Sequence, residues 1–527
     1  MNHQDRVTDE DNDRASNPAR QVLRQYWGYD DFRPGQHQIV ESILAGHDTL
    51  AILPTGGGKS VCFQVPALLQ SGVTLVISPL ISLINDQVGA LKRLGVHAEC
   101  LTSEKSRQER RSILARARDW GGSLLYLSPE RLLSLEFEKW APQLQVSILA
   151  VDEAHCISEW GHEFRPSYRQ ICHSYDLMGR PPVIALTATA TPAVRADICR
   201  SLKLNQPTKI VGGFDRPNLI FSVFSSYGKR KHLNEILKSV SGSAVVYAPT
   251  RKSVERWATH LATDGHESCA YHAGLSAEMR SKAQFQWLSN EKRIVVATSA
   301  FGMGIDKPDV RSVTHVGLPP SLESYYQEAG RAGRNGQKSY ATVLFGKEDI
   351  ARHRDFARRI RTERSSSGSG SGSGSGCGWR RHSARRLLEM LSYAMSSSCR
   401  RRQLLAHFGE FKGPRCGTCD VCLGRHRSFV PSEENERVLR EILFAFRNEL
   451  SPREYRGLSG IPWYRTEQMT RWLVLRGYLK IADDLTGLPS LTLLGRHLVA
   501  GDSVDPTPGY TTRRNWKDRR CTVQEPD

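Results

Sequence analysis

The stretch Thr49 to Ser60 constrains this chain more than any other. Its apolar half, Thr49 to Leu53, reads as a buried strand. Three glycines follow, then Lys59 and Ser60, then an apolar segment that reads as a helix. A strand that turns into a helix through glycines leaves unpaired backbone N–H groups at the positive end of the helix dipole. Without Cβ atoms, that backbone can close around phosphate oxygens. Lys59 can reach the outer phosphates, and the Ser60 hydroxyl can hold Mg²⁺. Thr55, Gly56, Gly57, Gly58, Lys59 and Ser60 are therefore candidate ligands of a nucleoside triphosphate. Leu53 stands where such loops usually place their first glycine, and a glycine-rich turn at a helix start is the plainer alternative.

The surrounding pattern suits that loop. Apolar runs at Thr49–Leu53, Val73–Ser78, Leu124–Leu127, Val146–Val151 and Val183–Leu186 alternate with helical segments. The alternation predicts an α/β fold with a parallel sheet, with ligands at the carboxyl ends of its strands. It recurs at Ala244–Tyr247, Glu267–Tyr271, Ile294–Ala297, Val313–Val316 and Ala341–Phe345, this time without a phosphate loop. Two lobes with one such loop predict a nucleotide held in the cleft between them. The expected division is a tail over 1–18, a first lobe over 19–208, a second over 209–364, a linker over 365–378, a compact Cys- and Arg-rich block over 379–430, a winged helix over 431–501 and a tail over 502–527. The linker runs from serines into strict Ser-Gly alternation, as an engineered replacement or a natural low-complexity insert would. The winged helix rests on helical patterns followed by strand-like runs at Tyr478–Ile481 and Leu491–Leu494 around the turn Asp483–Gly487.

With 527 residues the chain exceeds one ordinary core, and its formal net charge of +18 favours a polyanionic partner, nucleic acid before membrane. No apolar run reaches the roughly 20 residues that span a bilayer, and residues 1–20 carry no signal-peptide core. A cytoplasmic, nucleoid-associated or a nuclear location is expected. Of the 12 cysteines, eight are scattered. The other four, Cys399, Cys416, Cys419 and Cys422, have the density of a metal site. Four thiolates in tetrahedral array select Zn²⁺, and an iron–sulfur cluster is the competitor.

Val146–Val151 runs directly into Asp152-Glu153-Ala154-His155. Asp152 at a strand end can hold Mg²⁺, and Glu153 can orient and deprotonate an attacking water. Trp160, Phe164 and Tyr168 follow, flat faces on which bases can stack, with Arg165 among them. In the second block, Arg331 and Arg334 lie on a glycine-rich turn from which arginines can reach across a cleft to a γ-phosphate.

The order of Pro54–Ser60, Ser78–Leu83, Asp152–His155 and Ala185–Ala190 resembles superfamily-two helicases. Tyr29–Gln36, Cys156–Pro166 and the cysteine set narrow the resemblance to the RecQ family of ATP-dependent DNA helicases. The resemblance implies two RecA-like lobes, a zinc-binding helical module and a winged-helix domain. It implies Gln36 as the reader of adenine with Arg33 in support, Arg331 and Arg334 as arginine fingers (Arg334 preferred), and Trp160, Phe164, Arg165, Tyr168 and His155 in DNA binding and its coupling to hydrolysis. Gly302–Asp306 resembles the stretch that links the ATP and DNA sites, and Tyr271–Gly274 with Thr298-Ser299 should line the DNA path. ATP, Mg²⁺ and Zn²⁺ are the cofactors implied. Single-stranded and forked duplex DNA are the partners implied, with 3′-to-5′ movement, work in repair, recombination or replication, and a monomeric state. Single-strand-binding or repair proteins are possible further partners that these residues do not identify. An RNA helicase with the same motor, or a scaffold with a vestigial one, remains an alternative. No room for a further helicase-and-ribonuclease-D-type domain is expected after Gly501.

Overall fold

In the computed structural model, the described residues are 17–119, 121–159, 161, 163–225, 228–302, 307–346, 348–349, 385–387, 389–396, 398–410 and 413–424, with 443, 473, 479–481 and 489–491. The Ser-Gly linker and the expected tails lie outside them, apart from residues 17 and 18, where Asn17 caps the helix Pro18–Trp27. So do Trp160, residues 303–306 and nearly all of the expected winged helix.

The first seven strands are β1 (Thr49–Ile52), β2 (Val73–Ile77), β3 (Ala98–Leu101), β4 (Ser123–Leu127), β5 (Val146–Val151), β6 (Val183–Thr187) and β7 (Thr208–Val211). They form one sheet in the order β3-β4-β2-β5-β6-β1-β7, with parallel pairing throughout. Every residue of β1, β2, β4 and β6 is buried, as expected where helices cover both faces. The register sets Ile52 beside Thr187 and Val151 beside Ala185. The ends of β1, β5 and β6 thus meet at one edge, where α/β sheets take their ligands. β7 pairs with β1, so the first sheet continues past the boundary expected at 208.

The second sheet contains β8 (Leu219–Ser225), β9 (Ser243–Tyr247), β10 (Ser268–Tyr271), β11 (Ile294–Ala297), β12 (Val310–His315) and β13 (Ser339–Phe345), ordered β10-β11-β9-β12-β13-β8. Trp287, 1% exposed, packs beneath it, and its indole N–H donates to the Ala244 carbonyl at 3.2 Å. β14 (Leu479–Ile481) and β15 (Pro489–Leu491) pair antiparallel; β14 falls within the first expected run, whereas β15 ends at Leu491, where the second expected run begins. The turn between them lies outside the described residues.

The chain divides into two compact units. One holds nearly all of both lobes with Arg401–Pro414, and the other gathers Ser222–Ser225, Phe345–Arg400 and Arg415–Asp527. Arg401–Pro414 belongs with the lobes because Phe408 is an aromatic anchor. It stacks on Phe214 at 4.5 Å between centroids and meets Tyr326 at 4.9 Å. Arg195 donates to its carbonyl at 2.7 Å, and Glu410 accepts from the Phe214 N–H at 2.7 Å.

Candidate functional site

β1 ends in the glycine turn. Gly56 and Gly58 have φ of +77° and +72°, where any side chain is strained. A Cβ on Gly57 would lie 2.8 Å from the Pro54 carbonyl, and one on Gly58 would collide with the Gln36 amide. Gln36 donates to the carbonyls of Gly57 (3.1 Å) and Gly58 (2.9 Å) and accepts from the Arg33 N–H at 2.8 Å. The Arg33 guanidinium donates to the Gly56 carbonyl. The two residues implied for adenine recognition therefore brace the loop itself in this structure. Ser60 stands immediately before the helix Val61–Leu69, and its side chain makes no capping bond to that helix. The loop, its helix and Lys59 together fit a nucleoside triphosphate.

Asp152 leaves β5 with 5% of its surface exposed. Its carboxylate accepts from the Glu153 N–H at 2.9 Å and from the Gln87 amide at 3.5 Å. Burial, and next the Glu153 charge, push its pKa up to about 6 against the opposing pull of Lys59. A divalent cation at this carboxylate would favour the charged form, so Asp152 with Ser60 fits Mg²⁺. Glu153 adopts a left-handed conformation with φ 46°, which costs a non-glycine residue about 1–3 kcal/mol and is characteristic of functional sites. Its Oε2 lies 3.2 Å from His155 Nδ1, which lies 2.9 Å from the Thr187 hydroxyl at the end of β6. His155 is fully buried, and it links Glu153 to the end of β6.

Across the cleft, the helix Leu322–Ala329 ends at the arginine turn. The Thr55 hydroxyl donates to the Gly330 carbonyl at 3.3 Å. The Arg334 side chain lies against Gly56, where an added Cβ would be 3.3 Å from Arg334 Cγ. Arg331 is 8% exposed and donates to the Gly302 carbonyl. Arg334 is thus at the glycine loop, whereas Arg331 is built into the second lobe. Sequence reasoning missed Arg216, whose guanidinium donates to carbonyls of both the glycine loop and the arginine turn. Only an Arg-Pro step between two strands marks it in the sequence.

Tyr168 offers no stacking face: it is fully buried, and its hydroxyl donates to the Asp152 carbonyl at 3.1 Å. Arg165 donates to the Pro79 carbonyl at 2.6 Å. Phe164 is half-buried under the Arg169 guanidinium, 5.4 Å from its centroid.

In the other unit, the sulfurs of Cys399, Cys416, Cys419 and Cys422 all lie within 4.8 Å of one another, and Cys416 and Cys422 are 3.9 Å apart. Tetrahedral zinc with bonds of about 2.3 Å places its sulfurs roughly 3.8 Å apart. The N–H groups of Cys416 and Cys422 donate to the sulfurs of Cys399 and Cys419 at 3.3 and 3.4 Å, as suits thiolates. The set fits Zn²⁺. Two of the arginines after Cys399 are engaged within the protein. Arg400 is fully buried in an ion pair with Asp420 at 3.0 Å, and Arg401 is occupied by carbonyls and Asp215. A buried guanidinium needs a counter-charge and acceptors, and both are present. Because structural zinc supplies folding energy, Cys419→Ser should lower zinc content and expose the block around Cys399–Cys422 to protease. Full zinc occupancy, measured by metal analysis, would sink the four-cysteine site.

Residues 33–198 match the DEAD/DEAH box helicase family, 228–336 the helicase conserved C-terminal domain and 347–423 the RecQ zinc-binding family. The chain is 39% identical over 428 residues to the ATP-dependent DNA helicase RecQ of Bacillus subtilis, covering 81% of this chain and 70% of that protein. It is 38% identical over 427 residues to a putative ATP-dependent RNA helicase of Acanthamoeba polyphaga mimivirus, covering 80% and 74%. In fold it is similar to the DUF1998 helicase MrfA bound to DNA, with a TM-score of 0.53 at 19% identity over 64% of this chain and 50% of that one. Among the described residues no helix is long and apolar enough to cross a membrane. The three matched regions follow one another in the order of the lobes and the cysteine site, and with the bacterial relative they place this chain in the RecQ family of ATP-dependent DNA helicases.

Proposed function

We propose that the chain uses ATP hydrolysis to move 3′ to 5′ along single-stranded DNA and to unwind forked duplexes during repair, recombination or replication. The apposition of the arginine turn to the glycine loop carries this reading: Arg334 lies against Gly56 and Thr55 bonds to Gly330. Closing such a cleft around a nucleotide is how a two-lobed motor links hydrolysis to movement. In this reading Lys59 holds the phosphates, Asp152 and Ser60 hold Mg²⁺, Glu153 takes the proton of the attacking water and Arg334 stabilises the developing charge. Phe164 and Trp160 are the candidate stacking faces, and the basic chain supplies the phosphate contacts. Direction and pathway rest on family membership.

The test uses forks with a single 3′ or 5′ tail in DNA, and the same forks in RNA. Unwinding of the 3′-tailed DNA fork alone is expected. A preference for the 5′ tail would reverse the direction assigned. Equal or better unwinding of RNA would favour the reading suggested by the viral relative's name. DNA binding with no ATP hydrolysis would leave a scaffold.

A further inference from the structure

Arg216 lies between β7 and β8, in a connection that belongs to neither sheet. Its Nη1 donates to the Thr55 carbonyl at 3.2 Å and to the Gly330 carbonyl at 3.5 Å. Its Nη2 donates to the carbonyls of Ala332 at 3.1 Å and Gly333 at 2.9 Å. One planar guanidinium thus joins the start of the glycine loop to both ends of the turn that carries Arg331. Burial disfavours its charge, yet an arginine stays protonated in such places, so the four carbonyl dipoles are what accommodate it.

The backbone from which Arg216 projects is itself held. Arg401 donates through one nitrogen to the carbonyls of Arg216 (3.3 Å), Pro217 (2.9 Å) and Leu219 (3.1 Å), and its Nε lies 3.4 Å from Asp215. Asn218 adds bonds to the carbonyls of Gly333 at 2.8 Å and Gln337 at 3.0 Å. The connection is therefore fastened to the arginine turn on one side and to the helix Arg400–His407 on the other.

We infer that Arg216 is a positioning residue for ATP hydrolysis: it sets the separation between Thr55-Gly56 and the turn bearing Arg331 and Arg334, with Arg401 as its support. The inference rests on the ATPase reading above. Arg216 touches carbonyls at the edge of the loop, so it acts on the placement of Arg334 and leaves Lys59 and Ser60 as they are. The fork geometry excludes lysine, whose ammonium is a point donor and cannot span four carbonyls on two segments.

The experiment is steady-state ATP hydrolysis with saturating single-stranded DNA for the wild-type chain and for Arg216→Ala, Arg216→Lys and Arg401→Ala, with binding of a fluorescent ATP analogue and thermal unfolding measured alongside. Losing a set of charge-assisted bonds should lower kcat by about 10- to 100-fold in both Arg216 variants. KM and analogue affinity should stay within about threefold, since neither reports this placement directly. Arg401→Ala should lower kcat in the same sense by a smaller factor. A kcat within twofold of wild type in Arg216→Ala would overturn the inference. So would a parallel loss of kcat and analogue binding, or full rescue by lysine, because each points to general packing or simple charge. A wild-type chain that hydrolyses no ATP would remove the ATPase reading itself, an outcome distinct from these.

Discussion

Glu153→Gln is expected to lower ATP hydrolysis by about 10²- to 10⁴-fold, the usual contribution of a general base, whether or not DNA is present. The amide is nearly the same size as the carboxylate but cannot take a proton from water. Nucleotide binding should persist, because Lys59, Ser60 and Asp152 are unchanged. In the proposed mechanism Glu153 and not Asp152 is the base, and the local structure is compatible with that division. Asp152 is braced by the Glu153 N–H, by Gln87 and through its own carbonyl by Tyr168, which fits a fixed metal ligand. Glu153 instead sits in a strained left-handed turn with its Oε2 near His155. Activity with and without DNA, together with binding of an ATP analogue, checks the prediction. Hydrolysis within tenfold of wild type would move the base elsewhere.

The sheets were legible in the sequence wherever strands are buried on both faces, because such strands are continuous apolar runs. Three strands were not legible, each for a separate reason. β3 is four residues long and includes Glu99. β7 is largely exposed at the edge of its sheet and gains its identity from pairing with β1. β8 is half-buried: Leu219, Phe221 and Val223 face the core while the residues between them are partly exposed, so it alternates and forms no run. At the site, the glycine loop, the two carboxylates and the four cysteines were legible because their chemistry demands particular residues at particular spacings. The aromatic residues carried no such demand. An aromatic that stacks on a base and one that fills a core look alike in sequence, and Tyr168 is the second kind. Arg400 shows the same ambiguity for charge, since its run reads as a solvated face while Asp420, 20 residues on, draws it inside. Arg216 left almost no trace because all four of its acceptors are backbone carbonyls, which any residue supplies.

The two arginines of the second lobe should separate cleanly. Arg334→Ala is expected to lower kcat by about 10³- to 10⁵-fold, the range attributed to arginine fingers, with little change in thermal stability. Its methylenes rest on Gly56, and it is half-buried where Arg331 is buried, so truncation disturbs the second lobe's core less than loss of Arg331 does. Arg331→Ala should behave differently. Its guanidinium is buried and donates to the Gly302 carbonyl, and Gly302 has φ +116° with no room for a Cβ because that guanidinium fills the space. Removing it leaves a buried acceptor without its donor and a void behind the turn, each of which costs about 1–3 kcal/mol. Arg331→Ala is therefore expected to unfold at a lower temperature as well as to lose activity, while Arg334→Ala loses activity alone. Single-turnover hydrolysis and calorimetric unfolding of the two variants make the comparison. If Arg334→Ala melts early and Arg331→Ala does not, the roles are exchanged. If Arg334→Ala keeps its turnover, Arg331 becomes the candidate for the charge that meets the transferred phosphate, and it would first have to leave the Gly302 carbonyl.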